Sequence, residues 1–223
     1  FNDKEIEFQL SEAKAIFNKY NEDEIIELTS DALSKGKAIG WFQGRSEFGP
    51  RALGARSILG DPRNENMQKN LNLKIKFRES FRPFAPSILK EKVSQWFELK
   101  KESPYMLVVS KILENKKIKN ENINNIFGID RLNLKRSSVP AITHVDYSAR
   151  IQTVTKKTNP KFYDLINKFE KKTGCPMLIN TSFNVRGEPI VNSPLDAFNC
   201  FMGTNLDILV IENFFLIKEN QDQ

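Results

Sequence analysis

Strand-like apolar runs and amphipathic helical patterns are interleaved along this 223-residue chain without a regular strand–helix–strand repeat. A regular alternation predicts a parallel sheet with crossover helices, whereas an irregular mixture predicts a mixed sheet with helices packed on it. The hydrophobic content of 39% is enough for one ordinary core. The sequence therefore predicts an α/β fold of the mixed α+β kind, in which helices pack on a twisted mixed β-sheet.

Apolar spacing and turn residues predict the individual elements. The predicted helices are 11–20, 22–35, 64–73, 161–172 and 194–203, with a helical turn at 93–97. The predicted strands are 37–43, 57–59, 85–89, a buried strand at 106–109, paired strands at 141–144 and 150–154, 175–179, and a closing hairpin at 208–211 and 214–217. Ser193 and Pro194 form the clearest helix start, with a capping hydroxyl followed by proline at the first helical position.

The chain divides into three parts by composition. We expect residues 1–36 to be a helical lead-in from a preceding, absent domain, and residues 37–223 to form the main domain. Residues 113–138 are rich in lysine and asparagine and have weak periodicity, so they are interpreted as an insertion.

Several classes of protein are not expected from the composition. No apolar stretch is long enough for a membrane helix, and no signal peptide is visible, so a cytoplasmic location without a membrane partner is expected. Cys175 and Cys200 lie in apolar surroundings and are interpreted as buried free thiols. With His144 as the only histidine, we expect no metal bound by the chain's own side chains.

The net charge of +6 favours acidic partners, and the positions of the arginines indicate which class of acidic partner to expect. The loop at 44–54 contains three glycines and Pro50, and arginines fall in and just after it at Arg45, Arg51, Arg56 and Arg63. Guanidinium groups in loops suit compact phosphates better than a nucleic-acid helix. The alternative interpretation is a tight turn whose arginines pair with Asp61 or Glu47.

Two further segments predict the walls of one anion pocket. Residues 76–84 place Lys76, Arg78 and Arg82 among aromatic rings, with only Glu79 to balance their charge. We expect Phe77, Phe81 and Phe84 to pack beneath these cations. Residues 180–189 follow a strand-like run and concentrate hydroxyls, amides and one guanidinium in a loop that ends in glycine and proline.

Five motifs, in order along the chain, closely resemble the C-terminal domain of the NodU/CmcH-type O-carbamoyltransferases. They are Gly49-Pro50-Arg51-Ala52-Leu53-Gly54, residues 76–84, Thr143-His144-Val145-Asp146, Asn159-Pro160-Lys161-Phe162-Tyr163, and residues 180–189. The resemblance runs from about residue 37 to residue 217 and implies a YrdC-like fold. Its Lys-x-Arg element is Lys76-Phe77-Arg78, and its Ser-x-Asn element is Ser182-Phe183-Asn184.

The resemblance also implies residue roles. Catalytic roles fall to Lys76, Arg82 and Arg150, whereas a lone histidine such as His144 is structural more often than catalytic. The implied binding residues for carbamoyl phosphate and ATP are Arg51, Lys76, Arg78, Arg82, Thr143, His144, Arg150, Ser182, Asn184 and Arg186.

The activity implied by the resemblance is the formation of carbamoyl adenylate from carbamoyl phosphate and ATP, with Mg²⁺ carried on the nucleotide substrate. The carbamoyl group would then pass to a substrate hydroxyl in an N-terminal Kae1-like domain, which is the expected partner; nucleic acid is not. Two alternatives stay open: a non-catalytic RNA-binding YrdC-like module, and a threonylcarbamoyl-adenylate-type synthase.

Overall fold

A nine-stranded mixed β-sheet organises the part of the chain that the computed structural model describes, namely residues 1–118, 128, 132 and 134–222. Its strands are β1 (Asn18–Lys19), β2 (Ile39–Phe42), β3 (Arg56–Gly60), β4 (Ala85–Leu89), β5 (Val108–Lys111), β6 (Ser148–Val154), β7 (Met177–Ser182), β8 (Ile208–Ile211) and β9 (Phe214–Ile217). Their order in the sheet is β1-β9-β8-β2-β3-β7-β4-β6-β5. Strands β2 and β8, and strands β4 and β6, pair in parallel, and the other neighbours are antiparallel. The predicted mixed sheet with packed helices is confirmed.

Five α-helices of the described residues pack on this sheet: α1 (Asp3–Glu12), α2 (Glu22–Ser34), α3 (Met67–Lys74), α4 (Pro160–Thr173) and α5 (Pro194–Met202). Helix α5 begins as predicted, because Ser193 caps it and Asp196 completes a capping box. Helix α4 buries Phe162, Leu165 and their apolar neighbours on one face. It ends at Gly174, whose φ of +71° lies in the left-handed region where glycine is favoured.

One hydrophobic core connects the sheet and the helices. Strands β2, β3, β4 and β8 are buried at every position, and α2 packs against α4. Ile6 and Leu10 of α1 and Ile25 of α2 belong to the same core as the strands. The division of the chain at residue 36 therefore stays a prediction, and residues 1–36 share their packing with the rest of the domain.

Three element predictions were wrong in position or surroundings. The first helix lies at Asp3–Glu12 and not at 11–20, because Asn2 and Glu5 form a capping box that starts it earlier. Residues 141–144 do not form a strand: Pro140–Ile142 is a 3₁₀ turn, and β6 pairs with β4 and β5. The predicted buried strand at 106–109 begins only at Val108, and as an edge strand it leaves Val109 57% exposed.

Much of the proposed insertion at 113–138 lies outside the described residues, since 119–127, 129–131 and 133 are not described. The described ends of this segment pair with each other: Ile118 N–H donates to the carbonyl of Arg136 at 2.8 Å, and Lys117 forms an isolated bridge with Ser137.

The buried thiols expected at Cys175 and Cys200 are confirmed, and burial raises their pKa values to about 12 and about 11. Within the described residues, no helix combines the length and the apolar character that crossing a bilayer requires.

A close contact fixes the loop between β2 and β3. Gly54 has a φ of +111°, and a Cβ atom placed on it would lie 2.3 Å from Cδ1 of Phe162 on α4. The carbonyl of Gly54 also accepts a hydrogen bond from Trp41 Nε1 at 3.0 Å. Only glycine therefore allows the loop to lie directly on the Phe162 ring.

We expect Gly54→Ala to lower the free energy of unfolding by about 2–4 kcal/mol, because the new methyl group must displace a packed ring and the backbone is strained as well. Urea unfolding followed by circular dichroism measures this. Gly174→Ala is the matched control: its φ is also positive but its Cβ would meet no atom within 4 Å, so it should cost only about 1 kcal/mol. Equal losses in the two variants would contradict a role for the Phe162 contact.

Candidate functional site

The candidate site is formed where three segments meet beside the C-terminal end of β7. One is the loop at 44–54 that follows β2, the second is the segment at 75–84 between α3 and β4, and the third is the loop at 182–191 that follows β7. Arg150 of β6 adds a side chain from a fourth element. Loops positioned by a rigid sheet are the usual place for binding residues.

Lys76 joins the second and third segments directly. Its side chain is buried, with 5% of the residue exposed, and its ammonium donates to the carbonyl oxygen of Ser182 and, at 2.8 Å each, to the carbonyl and Oδ1 of Asn184. Ser182 Oγ donates to Asn184 Oδ1 at 2.7 Å. The two segments predicted to form one pocket are therefore in contact through the Lys-x-Arg and Ser-x-Asn elements.

The surroundings of Lys76 act on its charge in opposite directions. Burial and the nearby guanidinium of Arg78 lower the pKa of Lys76 to about 7, although its oxygen acceptors favour the ammonium form. No carboxylate among the described residues forms an ion pair with it. Lys76 is thus a group whose ammonium form an anionic ligand would stabilise.

Arg78 and Arg82 are held in different ways. Arg78 Nε donates to Asn72 Oδ1 at 2.6 Å, and its guanidinium lies 5.0 Å from the centre of the Phe84 ring. Arg82 forms an ion pair with Glu79 at 2.9 Å and is largely exposed. Of the side chains in this segment, Arg78 is fixed by packing and Arg82 is fixed only by a surface ion pair.

The expectation that three phenylalanines pack beneath the cations is confirmed for Phe84 alone. Phe84 is buried, whereas Phe77 and Phe81 are 52% and 44% exposed. The reason is a turn after α3: the N–H of Arg78 bonds back to the carbonyl of Asn72, and Phe77 has a φ of +47° at this turn. Its ring is thereby placed on the surface.

Two adjacent cavities lie between these segments. The arginine cavity, of about 150 Å³, is lined by Arg51, Arg78, Arg150, Asn180 and Ser182 together with apolar residues of β4 and its approach. The lysine cavity, of about 180 Å³, is lined by Lys76, Arg78, Arg82, Ser182, Asn184 and Arg186 with the backbone of the third segment. Arg78 and Ser182 line both. Eight of the ten predicted binding residues therefore line one or both of these adjacent cavities.

The alternative interpretation of the loop arginines holds for Arg63 and not for Arg51. Arg63 pairs with Asp61 at 2.7 Å, while Arg56 is buried and donates to backbone carbonyls of Gln43 and Gly44. Glu47 accepts from the backbone N–H groups of Leu53 and Ala55, at 2.7 Å each, and so shapes the loop; among the described residues it forms no ion pair with an arginine.

Arg51 and Arg150 remain as cations directed to the arginine cavity. Among the described residues neither forms an ion pair with a carboxylate. Burial and the proximity of Arg51 lower the pKa of Arg150. Such a like-charge pair is stabilised when an anion binds between its members.

Thr143 and His144 lie outside these two cavities. The Thr143 hydroxyl donates to the carbonyl of Val139 at 2.9 Å and bonds with Ser137 Oγ at 2.7 Å, so it supports the 3₁₀ turn. Burial lowers the pKa of His144. Their assigned binding roles stay predictions.

Sequence reasoning placed Asn180 in a pocket wall but gave it no binding role, and the structure adds it to the lining of the arginine cavity. It is buried and hydrogen-bonds with Ser87 of β4 and Gln152 of β6. The available signal was an amide directly after the apolar run at 177–179, because a polar side chain in a buried strand needs partners.

Comparison with known proteins shows the family. Residues 30–218 match the family described as "Carbamoyltransferase C-terminus". The chain is 54% identical to an uncharacterised protein of Synechocystis sp. over 100% of this chain and 37% of that protein. It is 44% identical to the nodulation protein NolO of Bradyrhizobium diazoefficiens over 97% of this chain and 37% of that protein. It is 36% identical to the 3′-hydroxymethylcephem-O-carbamoyltransferase of Streptomyces clavuligerus over 75% of this chain and 28% of that protein.

Two solved structures share the fold. Full-length HypF in a phosphate- and nucleotide-bound form gives a TM-score of 0.52 at 17% identity, covering 88% of this chain and 22% of HypF. A doubly substituted Sua5 of P. abyssi gives a TM-score of 0.52 at 12% identity, covering 86% of this chain and 52% of that protein. These likenesses confirm the YrdC-like fold.

The chain spans about 37% of the length of the first two curated relatives. The family match covers most of the chain, and the identities to NolO and to the Streptomyces enzyme extend over three quarters of it or more. This chain therefore belongs to the carbamoyltransferase family, in which it corresponds to the C-terminal domain.

Proposed function

We propose that this domain binds carbamoyl phosphate and ATP and forms carbamoyl adenylate. The carbamoyl group then passes to a substrate hydroxyl in an N-terminal Kae1-like domain. The observation that supports this most directly is the convergence of Lys76, Arg78, Arg51 and Arg150 on two adjacent cavities, with no ion-pairing carboxylate on these four among the described residues. Mg²⁺ enters with the nucleotide as part of the substrate.

Charge stabilisation is the main task of such a site. Carbamoyl phosphate and ATP bring about six negative charges together, and fixed cations in a partly dry pocket stabilise them without having to reorganise. The hydrogen bonds of Lys76 and the packing of Arg78 hold two of the basic side chains in place before any ligand arrives.

The proposed reaction has three steps. Water cleaves carbamoyl phosphate to carbamate, inorganic phosphate and a proton. An oxygen of carbamate then forms a bond with the α-phosphorus of ATP, and pyrophosphate leaves with the electrons of the broken phosphoanhydride bond. Finally the acceptor hydroxyl attacks the carbamoyl carbon, AMP leaves, and the hydroxyl proton is released.

The residues act in these steps by binding and orientation. Arg51 and Arg150 are placed to bind the oxygens of the smaller anion in the arginine cavity, and Lys76, Arg78 and Arg82 border the lysine cavity where a nucleotide phosphate fits. Ser182 lies between the two cavities, at the point where the two substrates would meet.

The comparisons support the same reaction class. One relative is named an O-carbamoyltransferase, which denotes transfer of a carbamoyl group to oxygen, and a structure of the same fold was obtained with phosphate and nucleotide bound.

We predict that Arg51→Ala, Lys76→Ala and Arg150→Ala each weaken the binding of carbamoyl phosphate or ATP by about 10- to 150-fold, because each removes a charge-assisted contact worth about 1.5–3 kcal/mol. Calorimetric titration with each ligand measures the dissociation constants. Lys35→Ala is the control, since it removes one positive charge from an exposed ion pair on the surface beside α2.

A set of variants that all bind like wild type would contradict the proposed site.

The two competing functions would give different experimental results with the same protein. RNA binding whose affinity falls log-linearly with salt would favour a nucleic-acid module, and pyrophosphate exchange that needs threonine and bicarbonate would favour a threonylcarbamoyl-adenylate synthase.

We predict that ligand binding takes up a proton at alkaline pH. In the ligand-free chain the pKa of Lys76 is lowered to about 7, so at about pH 8.5 the side chain is mostly neutral. A bound phosphate stabilises the ammonium and raises this pKa, so affinity for ATP should fall as the pH rises above about 7. Titrations at about pH 8.5 in buffers of different ionisation enthalpy should show uptake of more than about half a proton per site.

Lys76→Met should abolish this proton uptake, and Lys35→Ala should leave it intact. Unchanged uptake in Lys76→Met would show that another group titrates and would rule out Lys76 as its source.

A further inference from the structure

Asn72 of α3 joins this helix to the segment that contains Arg78, and both polar atoms of its side chain are used. The residue is 0% exposed. Its Oδ1 accepts a hydrogen bond from Arg78 Nε at 2.6 Å, and its Nδ2 donates to the carbonyls of Ser80 at 3.0 Å and Arg82 at 2.8 Å. Reversing the amide would place its oxygen against two carbonyl oxygens, so these contacts fix its orientation.

The bond to Nε determines which part of Arg78 is left for a ligand. A guanidinium donates hydrogen bonds through Nε and through its two terminal nitrogens. Asn72 takes the donor on Nε, and no hydrogen bond or ion pair from the described part of the chain engages the terminal nitrogens. Arg78 is only partly buried and lines both the arginine cavity and the lysine cavity. The guanidinium is thus held through Nε while its terminal donors remain for an anion.

An amide at this position differs from a carboxylate in its effect on charge. An aspartate in place of Asn72 could also accept from Arg78 Nε, but it would form an ion pair with the guanidinium and compete with a phosphate for it. The neutral amide holds the group without offsetting its positive charge. The carboxylate in the same segment, Glu79, pairs with Arg82 instead, at 2.9 Å.

We propose that Asn72 is the positioning residue of Arg78, which it orients for phosphate binding while leaving the positive charge of the guanidinium intact. This inference rests on the function proposed above and adds to it a residue that acts through another. A residue of this kind contributes to affinity only through the group that it holds. Its contribution should therefore vanish when the Arg78 side chain is removed.

Gln68 provides a matched control on the same face of α3, one turn before Asn72. Its Nε2 donates to the carbonyls of Phe81 at 2.9 Å and Arg82 at 3.2 Å, and it forms no hydrogen bond with Arg78 within the described ranges. Gln68 therefore supports the same segment without holding the guanidinium. A comparison of the two residues separates the orientation of Arg78 from the general order of the segment.

The test is a double-mutant cycle on ligand affinity in the full-length protein. Calorimetric titration with carbamoyl phosphate and with ATP gives the dissociation constants of wild type, Asn72→Ala, Arg78→Ala and the variant that carries both changes. Arg78→Ala should weaken at least one ligand by about tenfold or more, and Asn72→Ala should weaken the same ligand by about fivefold or more. In the Arg78→Ala background, Asn72→Ala should change this affinity by less than about twofold.

Gln68→Ala should have the same effect, within about twofold, whether or not Arg78 is present. Urea unfolding shows which variants are folded. If Asn72→Ala does not fold, Asn72→Thr, whose side chain is closer in size to asparagine, takes its place in the cycle. Failure of both variants to fold would show that Asn72 serves the fold itself and would overturn the inference.

The outcomes separate this inference from the proposed function. Equal weakening by Asn72→Ala in both backgrounds would overturn the inference, because Asn72 would then act on the whole segment and not through Arg78. An Arg78→Ala variant that binds both ligands like wild type would also overturn it, while leaving the proposed function in place. A wild-type protein that binds neither ligand would overturn the proposed function and this inference with it.

Discussion

The hydrogen bonds of the buried Lys76 side chain connect the segment after α3 to the end of β7, and the geometry of the site depends on this connection. Its ammonium binds the backbone and side chain of the Ser182-x-Asn184 element, and through Ser182 the same element borders both cavities. A lysine so placed has a dual function. It orders a loop by donating to its oxygens, and it adds to the positive field that an anion would meet.

The arginine cavity stays positive because three nearby carboxylates are used elsewhere. Glu47 binds backbone N–H groups of its own loop, Asp61 holds Arg63, and Asp146 accepts from Ser148. Placed against Arg51 or Arg150, any of these carboxylates would compete with a phosphate for the same guanidinium groups. The pattern separates arginines that support the fold, such as Arg56 and Arg63, from those that remain available to a ligand.

The sequence predicts an element well when interactions between residues close in the sequence determine that element. Helix α5 and the hairpin of β8 and β9 were predicted at nearly their observed bounds, since a capping box or a short apolar run defines them within a few residues. That the segments of Lys76 and Ser182 lie close together was anticipated from charge and loop composition together with the family resemblance, although 106 residues separate the two, whereas the direct hydrogen bond between them was not. Three features were missed. The start of α1 depends on a capping box that precedes the apolar pattern, and the 3₁₀ turn at Pro140–Ile142 stands where a strand was predicted because β6 pairs with other strands. The exposure of Phe77 depends on a turn. Asn180 was placed in a pocket wall without a role, because its partners Ser87 and Gln152 lie on strands far from it in the sequence.

The contact between Gly54 and Phe162 has a consequence for redesign of the pocket. The loop that presents Arg51 is seated on the face of a helix-borne aromatic ring, with no side chain between them. The depth at which the loop sits is therefore set by the ring together with the glycine that faces it. An attempt to admit a bulkier anion by lengthening the loop would leave its base where it is, whereas trimming Phe162 would let the whole arginine-bearing wall settle toward α4.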